Sequence, residues 1–223
     1  MISIKNLSKN YGEKVVYKNF NLDIEENKVL VILGESGSGK TTLLNVLAGI
    51  TDYKGDIVGN IKPVSMVFQK DYLIPNLTVE DNLKLVCKDK DVSKALESVG
   101  LLEEAKLYPK SLSAGMSRRV ALLRGFLYES ALMLMDEPTN SLDIGLKHTI
   151  YKILKEQKSI YPKTIVVVTH DVEEALSLAD RIVVLKRGEI TYSYEFKTKM
   201  EDRVVTDSES NQIRQKILKA LIG

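Results

Sequence analysis

Residues 28–42 read KVLVILGESGSGKTT: an unbroken apolar run, then nine residues of glycine, serine and threonine around one glutamate and one lysine. No other stretch narrows the possible folds as much. The run is short and ends at a turn-former, which is the pattern of a strand buried on both faces. From Lys40 to about Ala48 the pattern becomes helical. Gly34, Gly37 and Gly39 free the backbone between strand and helix to turn its N–H groups inward. The helix start adds partial positive charge. Strand, glycine loop and helix in this order make a cradle for phosphate groups. Its candidate contacts are Gly34, Glu35, Ser36, Gly37, Ser38, Gly39, Lys40, Thr41 and Thr42. Lys40 reaches toward terminal phosphates, and the Thr41 hydroxyl is a candidate ligand for Mg²⁺.

The remaining pattern predicts an α/β fold. ALMLM (131–135) and TIVVVT (164–169) are short, bounded apolar runs separated by a helix, as buried parallel strands are. Further strands are predicted at 1–7, about 15–24, 56–58 and 64–68, and residues from about 77 to 126 read as helical. RIVVLKRGEIT reads as two strands joined by a Lys-Arg-Gly turn. Near the end, Ile213, Ile217 and Leu221 recur at helical spacing. Packing on the chain's own domain is their first role, with a subunit or membrane contact as the second.

The totals exclude several classes. A chain of 223 residues suits one domain with room for a subdomain, and 44% apolar with 28% charged residues predicts a globular chain. A net charge of +2 argues against a nucleic-acid partner. Cys87 is the single cysteine, so no internal disulfide forms; its apolar-periodic setting predicts a core position, and a reducing cytoplasm fits. No apolar run approaches the roughly 18 residues of a membrane helix, and the start of the chain alternates like a strand. The reading is a soluble protein whose membrane role comes through a partner.

Chemistry is expected at the strand ends, where open α/β sheets bind ligands. Asp136 closes the ALMLM strand and is placed to hold a metal, directly or through water. Glu137 follows as a candidate general base for the attacking water. His170 follows TIVVVT at the same edge, placed to bond a terminal phosphate and orient Glu137 or the water. His148 lies within a helix and reads as surface. A second candidate anion site is LSAGMSRR (112–119), where Ser113 and Gly115 precede a helical pattern.

Taken together, Tyr11, the glycine loop, Gln69 in VFQKD, LSAGM, MDEP, SLD (141–143) and His170 follow one another in an order that resembles the ATPase subunit of ATP-binding cassette (ABC) transporters, over about residues 1–190. The resemblance implies a P-loop NTPase core with a mainly parallel sheet, an N-terminal antiparallel β subdomain and a helical signature subdomain. It implies one cassette domain over 1–223, with about 72–127 as the inserted helical subdomain and about 192–223 as a short C-terminal extension with a helix. It implies ATP and Mg²⁺ as ligands. Tyr11 would stack on adenine and Val16 would pack against the sugar. Gln69 would join Thr41 and Asp136 at the metal, and Ser141 and Asp143 would communicate across a dimer.

In that family two cassettes meet head to tail, so Ser113 and the Gly115 N–H would close on the other copy's γ-phosphate. The partner would be a second copy or a related cassette. Ala114 and Met116 depart from the family's LSGGQ, and Met116 lacks a glutamine's amide donors. Arg119 and Arg124 match the family's basic helix or simply make a solvated face. Met116 and the final helix resemble the nitrate/sulfonate/taurine importer group. That likeness implies transmembrane permease subunits, an extracytoplasmic substrate-binding protein and a place at the cytoplasmic face of the membrane. Lipoprotein-release, efflux and cell-division complexes use a similar stand-alone subunit and stay open.

Overall fold

The computed structural model describes residues 1–87 and 90–222, apart from the side chain of Glu201. Its centre is β3 (Val29–Leu33), the apolar run that precedes the glycine loop. All five of its residues are buried, and they alternate between two cores. Val29, Val31 and Leu33 face one cluster; Leu30 and Ile32 face the other. Strand β6 (Leu132–Asp136) and β7 (Thr164–Thr169) split in the same way. This is why their sequences are continuous apolar runs rather than alternations.

These strands join β5 (Val64–Val67), β8 (Arg181–Lys186) and β9 (Glu189–Glu195) in a six-stranded sheet of order β5-β6-β7-β3-β8-β9. Every pairing is parallel except β8 with β9. The β8–β9 hairpin turns at Arg187 and Gly188, both at positive φ, as a tight antiparallel connection requires. Because β5, β6, β7 and β3 run in parallel, the residues that follow them emerge at one edge: Gln69, Glu137, His170 and the glycine loop.

A separate antiparallel sheet of order β2-β1-β4 is built from β1 (Ile2–Tyr11), β2 (Lys14–Ile24) and β4 (Lys54–Val58). It buries Ile2, Ile4, Leu7, Phe20 and Leu22 in the same cluster as Leu43 and Leu44 of α1 (Lys40–Leu47). Its β1–β2 turn therefore hangs beside the glycine loop.

The expected helical stretch of 77–126 is interrupted. Three helices form, α2 (Val79–Lys84), α3 (Val92–Ser98) and α4 (Ala114–Leu127), with turns over 99–113 and residues 88 and 89 outside the described set. Gly100 at φ 64° ends α3, and Pro109 disfavours helix at the residue before it. The apolar periodicity there belongs to one shared core of Val79, Leu83, Leu96, Val120 and Leu123, with Cys87 buried among them. Helices α5 (Ile144–Ile160) and α6 (Val172–Leu178) cover the sheet face opposite α1. Helix α7 (Ser208–Ile222) packs Ile213 and Ile217 on its own domain, the first of the two roles read for it. No helix among the described residues is long and apolar enough to cross a membrane.

Candidate nucleotide-binding site

The glycine loop is held from below. Gly34 N–H donates to the Thr169 carbonyl at 3.2 Å, and Gly188 N–H to the Ser38 carbonyl at 3.1 Å. Gly39 sits at φ 110°, a conformation L-residues rarely adopt, and opens α1 with no side-chain cap. The first N–H groups of α1 are thus left to a ligand. The buried Tyr17 hydroxyl donates to the Gly39 carbonyl at 2.9 Å and pins this turn.

Above the loop lies a cleft of about 340 Å³. Tyr11, Lys14 and Val16 line it from the β1–β2 hairpin. Ser36, Gly37, Gly39, Lys40, Thr41 and Thr42 line it from the loop and α1, and Glu137 closes the far side. Tyr11 is about half exposed, with the Lys9 ammonium 4.7 Å from its ring centroid. Glu35 and Ser38 do not line this cleft. They face a smaller cavity of about 170 Å³ together with Lys186, Arg187 and Leu221.

Lys40 is buried. Its Nζ donates to the carbonyls of Gly34 at 2.7 Å and Glu35 at 2.9 Å, which leaves one of three protons for a ligand. Burial pulls its pKa below the usual lysine value, opposed by the charges of Glu137 and Asp136. Burial pushes the Asp136 carboxyl above the carboxylate range; a hydrogen bond from Thr41 counters this, and Glu137 adds to it. The Thr41 hydroxyl lies 3.5 Å from Asp136 Oδ1. A hard oxygen pair beside a phosphate cradle suits Mg²⁺, which takes one or two protein ligands and completes its shell with phosphate and water. Among the described residues no group of three or more His, Cys, Asp or Glu is gathered into an all-protein cage.

Glu137 is held on every side. Its backbone is at φ 47°, and its N–H donates to the Val168 carbonyl at 2.9 Å. A non-glycine residue in this region costs roughly 1–3 kcal/mol, which surrounding contacts must offset. One carboxylate oxygen meets His170 Nδ1 at 3.1 Å; the other accepts from Asn140 Nδ2 at 2.8 Å. The carboxylate is thereby oriented through both oxygens.

Other expected residues are elsewhere. Gln69 is exposed beyond β5 and does not line the cleft; the Arg118 guanidinium takes its carbonyl. Ser113, Gly115 and Asp143 are also absent from the lining. Ser113 caps α4, its Oγ accepting the Met116 N–H at 3.2 Å. Met116 compensates for the missing glutamine locally: its Sδ accepts the Ser113 N–H at 3.4 Å and closes a reciprocal cap. Ala114 is the first helical residue, so no left-handed backbone is asked of it. A Cβ on Gly115 would lie 2.9 Å from a Leu146 methyl. Asp143 caps α5 through Leu146 N–H at 3.0 Å, and Ser141 is exposed at φ 64°. His148 is exposed, as expected, though its ring contacts Tyr151 edge-on at 5.8 Å.

Arg119 and Arg124 are not a solvated face. Arg119 donates to Val99 O at 2.7 Å, and Arg124 to Asp71 O and Tyr72 O at 3.1 Å. Sequence reasoning passed over Lys14, Tyr17, Asn140 and Arg118. Asn140 had a faint signal, an amide three residues after a carboxylate in a turn. The other three join the site through contacts between distant segments, which no local spacing reports.

Comparison with known proteins identifies the family. The sequence model of the ABC transporter family matches residues 17–140. The chain is 38% identical to the aliphatic sulfonates import ATP-binding protein SsuB 2 of Rhodococcus jostii, covering 99% of this chain and 92% of that protein. It is 37% identical to SsuB 1 of Paracoccus denitrificans over 99% and 93%. The solved dimeric ABC transporter cassette MJ0796 superposes with a TM-score of 0.74 at 32% identity, covering 89% of this chain and all of that one. The chain belongs to the ABC transporter family, as an ATP-binding and ATP-hydrolysing cassette subunit.

Proposed function

We propose that two copies of this chain, or this chain and a related cassette, close head to tail around two ATP molecules and so drive a membrane permease in solute import. The observation that carries the reading is a division of labour. Lys40, Thr41 and Glu137 line one cleft, with Asp136 beside Thr41 and His170 beside Glu137, whereas Ser113 and Gly115 neither line it nor bond to those residues, and Ser113 is exposed on a helix start. A helix start with free N–H groups is an anion site, and in this reading its anion is the γ-phosphate bound by the other copy.

Tyr11 stacks on the adenine, Val16 packs against the sugar, and the glycine loop with Lys40, Thr41 and Thr42 holds the phosphates. Thr41 and Asp136, with Gln69, would hold Mg²⁺, which would supply positive charge to offset that of the phosphate groups. Glu137 takes the proton of the attacking water. Asn140 and His170 keep its carboxylate turned toward that water, and His170 also reaches the γ-phosphate. Asp143, at the start of α5, faces the second cassette. The adhesion between copies depends on ATP and weakens with ADP, and that difference drives the cycle.

The likeness to import proteins along almost the full chain supports coupling to transmembrane permease subunits and an extracytoplasmic substrate-binding protein, at the cytoplasmic face of the membrane. The chain acts as one cassette domain with the helices of 72–127 as its inserted arm. The Glu137→Gln variant tests the arrangement. With Mg-ATP it accumulates as a dimer in light scattering; a population that stays monomeric overturns the shared-site reading.

A further inference from the structure

Glu174 is a carboxylate that the chemistry above does not use. It lies on α6 and is 1% exposed. Burial pushes its pKa up to about 7. A carboxyl group kept inside a protein against this cost is expected to serve its hydrogen-bond partners. The Thr139 hydroxyl donates to its Oε1 at 2.8 Å, and the Thr169 hydroxyl is hydrogen-bonded to it as well. Both threonines are 1% exposed.

Their places in the chain give the carboxylate its meaning. Thr139 comes two residues after Glu137, and Thr169 immediately precedes His170. One side chain thus ties together the two turns whose catalytic groups meet at 3.1 Å. Asp171, the N-cap of α6 three residues before Glu174, is paired with Lys147 of α5 at 2.5 Å, and Tyr151 of α5 interacts with both Glu174 and Thr139. From α4, the buried Arg118 is in electrostatic contact with Glu174 while donating to the Phe68 and Gln69 carbonyls. The third strand-end turn is therefore coupled to the same buried point.

We propose that Glu174 is a positioning residue that holds the Glu137 and His170 turns in register through the hydroxyls of Thr139 and Thr169. This rests on the reading that Glu137 and His170 act on the nucleotide. The turn at Glu137 is in a disfavoured backbone region, so a displacement of its flank by a fraction of an ångström misdirects the carboxylate without emptying the cleft. None of the three brace residues lines the cleft, so nucleotide binding is independent of the brace.

The test uses the full chain with Mg-ATP and three variants: Glu174→Ala, Glu174→Gln and the near-isosteric Thr139→Val. Glu174→Ala lowers kcat about tenfold or more, as misplacement of a reacting group does, with KM for ATP within about threefold. Glu174→Gln keeps an acceptor and restores most of the rate. A second readout is independent of turnover. The ring-proton resonance of His170, identified in a His148→Gln background, moves in Glu174→Ala and Thr139→Val in the direction that Glu137→Gln moves it. Equal losses in kcat and ATP affinity, or a His170 resonance unmoved in Thr139→Val, overturn the proposal. If Glu174→Ala does not fold, Thr139→Val decides by the same two readouts. A fully active Glu137→Gln would overturn the functional reading alone, since the His170 resonance still judges the brace.

Discussion

In the proposed function the strand-end edge and the start of α4 both meet a phosphate, yet they are finished differently. At the strand ends Lys40, Glu137 and His170 are each held by other groups of the same chain before any ligand arrives. At the start of α4, among the described residues, the Ser113 side chain is hydrogen-bonded within its own helix, through the reciprocal cap with Met116. The first region is preorganised for chemistry, where orientation of charge lowers the barrier. The second is an exposed surface, which in the proposed arrangement gains its function when the other cassette covers it. A site that must open and close in every cycle is better shared between bodies than enclosed within one.

The comparison can be broken at three points. The largest effect is expected from Lys40→Ala, which removes a buried ammonium facing the cleft. Turnover falls by roughly 10²–10³-fold or more, the scale set by loss of a preorganised electrostatic partner. Near-normal hydrolysis by this variant in the assembled transporter would remove the first region from the mechanism. Next comes Ser113→Ala. Hydrolysis falls by about tenfold, while ATP affinity of the dilute monomer changes by less than about twofold. The lost cap also costs α4 about 1 kcal/mol, visible as a lower Tm. A large drop in monomer affinity would mean that Ser113 serves its own chain's nucleotide and that the two regions are one site.

A third effect, on stability rather than turnover, sharpens the account of how the first region is braced. The pKa of Glu174 is raised by folding, from the usual glutamate value of 4.5 to about 7. Its protonated form is the one the interior prefers, so its contribution to stability is complete below about pH 4.5 and is lost as pH rises to about 7. Glu174→Gln removes that dependence. Relative to wild type, the variant gains stability between pH 5 and pH 8, by up to about 3 kcal/mol, with Asp171, Lys147 and Arg118 unchanged around it. Thermal melts that keep the same difference at both pH values would show that Glu174 is not held in that state.

Much of the fold was legible because the parallel strands are buried on both faces and so announce themselves as apolar runs. The helical arm was legible only in outline. Its apolar periodicity is real, but it serves one core shared by three short helices, and Gly100 and Pro109 break the run between them. In the site, Asp136, Glu137 and His170 stood out because each follows a buried run directly. Tyr17 and Arg118 did not, because their partners lie 22 and about 50 residues away, and Asn140 offered only a faint signal, an amide three residues after Glu137. Arg119 and Arg124 illustrate the same limit. Their charges left a solvated face open beside the family's basic helix, whereas their guanidinium groups hold loop carbonyls on the helical arm.

The amino-acid sequence alone determined the phosphate cradle, the strands that end beside it and the carboxylates and histidine that follow those strands, because backbone freedom and burial on two faces are properties of short segments. Only the tertiary structure decided that Glu137 is grasped through both oxygens, that Met116 completes a cap by its sulfur, and that one buried carboxylate lies behind the two catalytic turns. Those arrangements depend on hydrogen-bonding groups, several of them from separate strands and helices, meeting in the right direction at close range, and hydrogen bonds fall off too steeply with distance and angle for residue spacing to encode them.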